Sequence, residues 1–197
     1  MPDIKKEEQT RADIIAAAQK LFKTYGLDKT TMDDIATAAG KGKSSLYYYF
    51  KSKEDVFYAV AKIEMDKIAE TVRLALAGCK APTERLKSLL ITRYHATKSK
   101  IVLYSALLQD SSKHINLYQR IQRETNNEQV DILKQILLDG IKCGEFKSIK
   151  EDECASLAVV AMMVSRGLDA NILISGELPP ESIRLEAAVE VFVRGLA

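Results

Sequence analysis

Apolar residues recur along this chain every three or four positions, which is the spacing of one face of an α-helix. The first such segment spans roughly residues 10–25 and is followed by Gly26, which suits a left-handed helix stop. Its apolar face comprises Ile14, Ile15, Ala18, Leu21 and Phe22. Strand-like alternation is missing and no proline occurs between residues 83 and 178. The pattern therefore predicts an all-α protein.

The helical pattern continues to the end of the chain, interrupted by glycine, proline and capping residues. In the first part we predict helices at about 10–25, 31–39, 43–49 and 53–77. In the second part we predict helices at about 83–98, 101–109, 115–142 (one long or broken helix), 151–175 and 181–197. Thr31 with Asp34 forms a variant capping box at the start of the second helix. Ser52 with Asp55 caps the fourth helix in the same way.

The stretch GKGKSSLYYYF at residues 40–50 resembles a phosphate-binding loop in its first half. Gly42-Lys43-Ser44 matches the end of a P-loop, which also requires a glycine five positions before Gly42 and a strand in front of it. Thr37 stands at that position, and the residues before it have a helical pattern. The sequence therefore argues against a nucleotide site.

The same stretch joins two predicted short helices, 31–39 and 43–49, through a glycine-containing turn. Two short helices with such a turn are typical of a helix-turn-helix, which places its second helix in the DNA major groove. Residues at the N-terminus of that helix reach base edges, where lysine donates to guanine and serine contacts either base class. The candidate base-reading residues are Lys43, Ser44 and Ser45.

Positive charge that could bind DNA is concentrated in one short segment of the chain. The formal net charge of the whole chain is +2, so a nucleic-acid interface has to rest on a patch. Residues 40–53 contain no acid and four lysines, namely Lys41, Lys43, Lys51 and Lys53. A lysine patch alone is more often a solvated surface, and it is the helix-turn-helix setting that favours phosphate binding.

Helical geometry divides the aromatic residues that follow the turn. Leu46, Tyr49 and Phe50 share one face, which we expect to pack in the core of the small domain. Tyr47 and Tyr48 are then placed to reach phosphates through their hydroxyl groups. Core packing is the alternative for each tyrosine.

A longer pattern surrounds these residues. It reads Thr30-Thr31-x-x-x-Ile35-Ala36-x-x-Ala39-Gly40, then Lys43-x-x-Leu46-Tyr47-x-Tyr49-Phe50-x-x-Lys53. This pattern resembles the DNA-binding signature of TetR-family transcriptional regulators, and the resemblance covers about residues 10–60. It implies a helix-turn-helix DNA-binding domain of three helices at residues 1–52. It further implies a C-terminal helical bundle for ligand binding and dimerisation at 53–197, with 53–77 as the connecting helix.

The resemblance also implies a function. Family members are homodimeric regulators, most often repressors, that bind an inverted-repeat operator in double-stranded DNA and are released by a small ligand. Carried over by position, base-edge contacts fall on Lys43, Ser44 and Ser45. Phosphate contacts fall on Thr31, Tyr47, Tyr48 and Lys53. This chain departs from the family in the turn, where Lys41 and Gly42 replace an apolar residue and a serine, and we expect Lys41 to add a phosphate contact.

The last two predicted helices are candidates for pairing. The segment 151–175 is apolar on nearly every side, which predicts burial on nearly every side. One face can meet the core of its own chain and another a partner chain. With 181–197 this segment can form a four-helix interface about a two-fold axis in a homodimer, as the family resemblance also implies. A monomeric core is the alternative.

A pocket for a small, largely apolar effector is expected among the helices from about 83 to 175. Candidate lining residues are Tyr94, His95, Tyr104, Leu107, Leu108, Tyr118, Met162, Met163, Arg166 and Asn171. Ordinary core packing is the alternative for each of them. Arg166 can pair with Asp169 three positions later, or hold a carboxylate or phosphate of an amphiphilic ligand if it faces a cavity.

Other function classes receive no support from the sequence. It contains no catalytic constellation and no metal-ligand spacing, so we expect no enzyme activity, no cofactor and no metal. It has no apolar run of transmembrane length and no signal-peptide core, so we expect a cytoplasmic protein. The remaining alternative is a DNA-binding regulator without a small-molecule effector, either constitutive or controlled by a partner protein.

Overall fold

The structure, a computed structural model, describes residues 2–98, 116–117, 120–121, 127–175 and 185–197. These residues form helices and connecting turns without a strand, which confirms the all-α class. In the first part the helices are α1 (Pro2–Lys29), α2 (Met32–Ala38), α3 (Lys43–Tyr49) and α4 (Lys53–Ala77). In the second part they are α5 (Pro82–Lys98), α6 (Asn127–Lys142), α7 (Cys154–Ser175, after a 3-10 turn at Glu151–Glu153) and α8 (Leu185–Arg194).

Most predicted helices are confirmed, and the differences lie at their ends. α1 begins at Pro2, earlier than predicted, and it is interrupted at Gly26, whose φ of 80° favours glycine. A last helical turn follows this break and ends at Lys29. The predicted helix at 101–109 lies outside the described residues, as do residues 181–184 of the last predicted helix. In the predicted segment 115–142, Asn127–Lys142 forms a helix, whereas 115, 118–119 and 122–126 lie outside the described residues.

The chain divides into two compact units. The first contains the described residues up to Glu64 together with 116–117 and 120–121, and the second contains the other described residues. The domain boundary after residue 52, which the family resemblance suggested, stays a prediction.

The core of the first unit fixes the helix-turn-helix to the start of α4. Phe22 of α1 and Phe57 of α4 are fully buried, and their ring centroids lie 5.1 Å apart. Gln19 of α1 donates its side-chain amide to the buried carboxylate of Glu64 at 2.8 Å. Ile35 and Leu46 add the buried faces of α2 and α3. Because both short helices are packed on one core, their outer faces are held in a fixed arrangement.

The second unit is built from the second half of α4 and from α5, α6, α7 and α8 around a shared apolar core. Its fully buried members include Leu86, Leu133, Ile136 and Met162. Arg93 of α5, itself buried, donates to the side chain of Gln129 on α6 at 2.9 Å and to the hydroxyl of Ser165 on α7. The three helices are therefore joined by polar contacts as well as by apolar packing.

Candidate nucleic-acid interface

The start of α2 is fixed by a reciprocal capping box. The Thr31 hydroxyl accepts a hydrogen bond from the backbone N–H of Asp34 at 3.1 Å. The Asp34 carboxylate accepts from the Thr31 hydroxyl at 2.7 Å and from the Thr31 backbone N–H at 2.9 Å. These hydrogen bonds hold the pKa of the Asp34 carboxyl below its ordinary value, with the hydroxyl bond as the larger cause. The capping box predicted from the sequence is thus confirmed.

The turn between α2 and α3 depends on glycine at its first position. Gly40 has a φ of 63°, in the left-handed region that other residues rarely adopt. The next backbone N–H, that of Lys41, donates to the carbonyl of Ala36 at 3.0 Å. Gly42 is the N-cap residue of α3 and has extended backbone angles. Because glycine offers no capping side chain, the N-terminal N–H groups of α3 remain available to an anion in front of the helix.

α3 has one buried and one exposed face, as the sequence predicted. Leu46 is fully buried and Phe50 nearly so, whereas Tyr47 is 45% exposed and Tyr48 is 73% exposed. Tyr49 is half-buried and meets the Tyr48 ring edge-on, with centroids 5.1 Å apart. The core holds α3 by its buried side, so the hydroxyls of Tyr47 and Tyr48 are left on the outer side.

Ser44 is exposed and Ser45 is half-buried, beside Lys43 at the N-terminus of α3. These three residues lie together in the first turn of a helix whose outer face is open. This is the position from which the second helix of a helix-turn-helix reads base edges.

Both lysines of the turn region are ion-paired with acids outside it. The ammonium of Lys43 lies 2.9 Å from a carboxylate oxygen of Asp33, and that of Lys41 lies 3.5 Å from a carboxylate oxygen of Asp13. The bond to Asp33 raises the pKa of Lys43. Sequence reasoning missed these acids, because it counted charge only within residues 40–53. The net positive charge of the patch is therefore smaller than its four lysines suggest.

A shallow concavity, here called the helix-turn-helix concavity, collects several of the predicted contacts. Its lining residues are Thr30, Thr31, Met32, Asp33, Lys43, Tyr47 and Lys53. The set includes one residue predicted to read bases and three predicted to contact phosphate. Lys41, Ser44, Ser45 and Tyr48 lie outside this lining. Hydroxyl groups and ammonium groups around a concave surface are the donors that phosphate oxygens accept.

Lys53 has a different environment from the other lysines of the patch. Its side chain is half-buried, and its ammonium donates to the backbone carbonyls of Leu27, Asp28 and Thr30. The distances are 2.9, 3.1 and 3.4 Å. No sequence signal pointed to this arrangement, since the donor and its acceptors are more than twenty positions apart.

In the second unit, an open apolar groove lies where α5, α7 and α8 meet. It is lined by Leu90, Tyr94, Val160, Ala161, Val164, Ser165, Leu185, Ala188, Val189 and Phe192. Tyr94 is the member of this lining that the sequence named as a pocket residue. The walls supplied by α8 were missed, because that helix was assigned to dimerisation.

The other predicted pocket residues lie elsewhere. Met162 is fully buried in the core, Met163 is 61% exposed, and Arg166 is half-buried. His95 is exposed, with its Nε2 3.4 Å from a carboxylate oxygen of Glu186. The side chains of Tyr104, Leu107, Leu108, Tyr118 and Asn171 lie outside the described ones.

The single chain buries one side of α7 and leaves open another, the side that the sequence offered to a partner chain. One side of α7 faces the core through Ala158 and Met162, but another side is open to solvent. Its exposed fractions are 45% at Val159, 55% at Val160 and 61% at Val164. Burial on nearly every side needs a partner chain on this open side, and it stays a prediction.

Comparison with known proteins agrees with this architecture. Residues 14–60 match the family described as bacterial regulatory proteins, tetR family. The chain is 31% identical over 150 residues to the HTH-type transcriptional repressor KstR2 of Rhodococcus jostii strain RHA1, with 74% of this chain and 72% of the relative covered. The chain belongs to the TetR family of transcriptional regulators.

Solved structures extend the similarity of this TetR-family regulator over nearly its whole length. A transcriptional regulator of the TetR/AcrR family from Thermobifida fusca YX-ER1 matches with a TM-score of 0.63 and 26% identity, covering 94% of this chain and 95% of that one. A transcriptional regulator from Cytophaga hutchinsonii matches with a TM-score of 0.65 and 27% identity, covering 92% and 95%. Across the described ranges, no helix of the regulator has the length and apolar character that crossing a membrane requires.

Proposed function

We propose that this TetR-family protein is a homodimeric repressor that binds an inverted-repeat operator and is released by a small, largely apolar ligand. The observation that carries the DNA-binding part is the helix-turn-helix concavity beside the open first turn of α3. It combines hydroxyl, phenol and ammonium donors on a surface whose buried side is fixed by the core. A DNA-binding role of this kind places the protein in the cytoplasm.

On this proposal base contacts come from the first turn of α3, and phosphate contacts come from its later residues, from the turn and from the start of α2. Lys43, Ser44 and Ser45 enter the major groove with the first turn of α3 and donate to base edges. Thr31, Tyr47, Tyr48 and Lys41 contact phosphates on either side and set the register of the helix on the duplex. The N-terminal N–H groups of α3 favour a nearby phosphate as well.

DNA and the acids of the first unit then compete for the same lysines. Lys43 has to leave Asp33, and Lys41 has to leave Asp13, before their ammonium groups can donate fully to DNA. The Lys43–Asp33 pair is exposed and therefore weak, with side chains 62% and 63% exposed, whereas the Lys41 side chain of the other pair is half-buried. A dense row of phosphates can displace such carboxylates at low cost.

The homodimer is supported by the apolar surface that the single chain leaves open on α7 and α8. Val160, Met163 and Val164 on α7 are more than half exposed, and Val191 on α8 is 72% exposed. Exposed apolar side chains grouped on a protein surface mark an interaction site. Two helices from each of two copies can cover each other about a two-fold axis. To read both half-sites of an inverted repeat, the two copies of α3 have to lie about 34–36 Å apart, the spacing of successive major grooves.

The effector is supported by the groove among α5, α7 and α8. Its lining is apolar except for the hydroxyl groups of Tyr94 and Ser165. A largely apolar molecule with one or two polar groups fits such walls. To release DNA, the ligand has to bind more tightly to a state of the dimer in which the two copies of α3 have a spacing that does not fit the operator. The difference in ligand affinity between the two states limits how far DNA binding can be weakened. α4 connects the DNA-binding helices to the second unit and is the route we propose for the signal.

One observation favours a second candidate, a repressor without a small-molecule effector. Val160 and Val164 belong both to the groove and to the exposed apolar surface of α7. A second copy seated on that surface covers part of the groove by itself. In that case a partner protein or the protein's own abundance controls DNA binding.

Native mass spectrometry of the protein purified from its own host tests assembly and effector together. The proposal predicts a dimer mass with an additional small molecule that solvent extraction can recover. An empty dimer favours the candidate without an effector. A monomer contradicts two-fold operator recognition.

A further inference from the structure

The end of α1 and the residue after it present backbone carbonyls to the side chain of another helix. The helix breaks at Gly26 and stops at Lys29, so the carbonyls in this last turn lack the N–H groups of a following turn. The Thr30 hydroxyl donates to the Gly26 carbonyl at 2.7 Å. The side chain of Lys53, from the first residue of α4, donates to the carbonyls of Leu27, Asp28 and Thr30.

These bonds use the full hydrogen-bonding capacity of the Lys53 ammonium. A lysine has three N–H donors, and here three carbonyl oxygens lie within 3.4 Å of its nitrogen. A cation at this place is also favoured by the negative end of the α1 dipole. Lys53 therefore acts as a C-terminal cap that one helix receives from another.

From this geometry we infer that Lys53 is a positioning residue of the helix-turn-helix rather than a donor to DNA phosphate. It ties the turn that precedes α2 to the start of α4. Thr31, which caps α2, directly follows the last carbonyl that Lys53 holds. The inference deepens the proposed function, because it rests on α2 and α3 being the DNA-binding helices.

The route from Lys53 to the DNA-reading residues is short. The carbonyl of Thr30 is one residue from the N-cap of α2, and α2 packs against α3. A turn that loses its cap frays, and the start of α2 then moves relative to α4. Such movement shifts Lys43 and its neighbours away from base edges while their own side chains stay able to bind phosphate.

Lys51 provides a matched control for this inference. It lies two residues before Lys53 in the same lysine patch, and its side chain is exposed. Substituting methionine at either position removes one ammonium group and keeps an unbranched stem. Lys53→Arg keeps the charge, but a planar guanidinium cannot direct its donors at three converging carbonyls as an ammonium does.

The experiment uses the full-length protein and two duplexes. One is the duplex that the wild-type protein selects from a randomised pool, and the other is a scrambled duplex of the same composition. Affinity for each is measured by fluorescence anisotropy over a series of KCl concentrations. Hydrogen exchange of the backbone amides of residues 27–34 is measured in the absence of DNA.

For Lys53→Met we expect faster exchange at residues 27–34 and a loss of about tenfold or more in affinity for the selected duplex, comparable to losing one charged hydrogen bond. The salt slope on scrambled DNA stays that of the wild type. For Lys53→Arg, which keeps the charge, we expect most of the same increase in exchange rate at residues 27–34. This variant serves as the second test if Lys53→Met does not fold. Lys51→Met leaves exchange unchanged.

Two results overturn the inference. In the first, the plot of log affinity against log salt concentration is shallower by about 0.9 for Lys53→Met, the change expected for one lost phosphate contact, and Lys53→Arg restores the wild-type slope. This pattern is the signature of direct phosphate binding. The other is unchanged exchange at residues 27–34 in both Lys53 variants. Failure of the proposed function gives a different result: the wild-type protein then selects no duplex. Hydrogen exchange at residues 27–34 still decides the role of Lys53 in that case.

Discussion

The ammonium of Lys43 lies 2.9 Å from a carboxylate oxygen of Asp33, so the first residue of α3 is ion-paired before any DNA is bound. The acid comes from the first turn of α2, where a negative charge is also favoured by the helix dipole. The same carboxylate thus helps to start α2 and holds a lysine that we propose reads bases.

Asp33→Asn should strengthen DNA binding. The change frees Lys43 and removes a negative charge next to the duplex, so we expect a gain of about two- to fivefold in affinity and a steeper salt dependence. Fluorescence anisotropy with a scrambled duplex at several KCl concentrations measures both. Asp66→Asn is the matched control, because it removes the same charge from an exposed position farther along α4. Equal gains from both variants would show that only net charge matters.

The capping box should make stability depend on acid pH. Because the folded-state pKa of Asp34 is lowered, the contribution of this carboxylate is complete above the unfolded-state pKa of about 3.9. It is lost as the pH falls through the lower folded-state value. Asp34→Asn should therefore unfold at lower urea concentration than the wild type near neutral pH. The difference in urea midpoint between the two proteins should shrink as the pH falls below about 3.9. A difference that stays constant through that pH range contradicts the proposed role of the Asp34 carboxylate.

Val164→Glu should convert the protein to a folded monomer. The side chain is 61% exposed in the single chain, so a glutamate is tolerated there, but it places a charge in the centre of the proposed apolar interface. Sedimentation velocity gives the mass and circular dichroism the helix content. Leu74→Glu, at another exposed apolar position of the second unit, serves as the control and should stay dimeric. A dimeric Val164→Glu protein would refute the assignment of α7 to the interface.

Gly140→Ala should destabilise the second unit. A methyl group at this position of α6 runs into the ring of Phe146, which is itself buried in the core. We expect a cost of about 1–3 kcal/mol in the free energy of unfolding, the usual range for overpacking. Chemical denaturation measures the cost. Gly78→Ala, where the added methyl group meets only the backbone oxygen of Ala75 at 4.0 Å, should change stability little.

The helix-turn-helix could be predicted from the sequence because its signals are local. Thr31 with Asp34 fixes the start of α2, and the turn at residues 40–42 separates two apolar faces that each fit one helix. The early start of α1 was missed, because the residues before Thr10 are mostly polar and carry no clear cap.

The chemistry of the DNA-binding surface was harder to predict because it depends on contacts distant in sequence. Asp13 is twenty-eight positions from Lys41, and the carbonyls that hold Lys53 are at least twenty-three positions from it. Neither spacing follows a helical repeat.

Selection of duplexes from a randomised pool by the wild-type protein tests the central claim most directly. We expect enrichment of an inverted repeat whose half-site centres lie about one helical turn of DNA apart, or a multiple of that distance. Lys43→Ala should alter the preferred bases within each half-site and leave the spacing unchanged. Enrichment of no sequence, or of a single half-site without a symmetric partner, would contradict a two-fold repressor that reads DNA through α3.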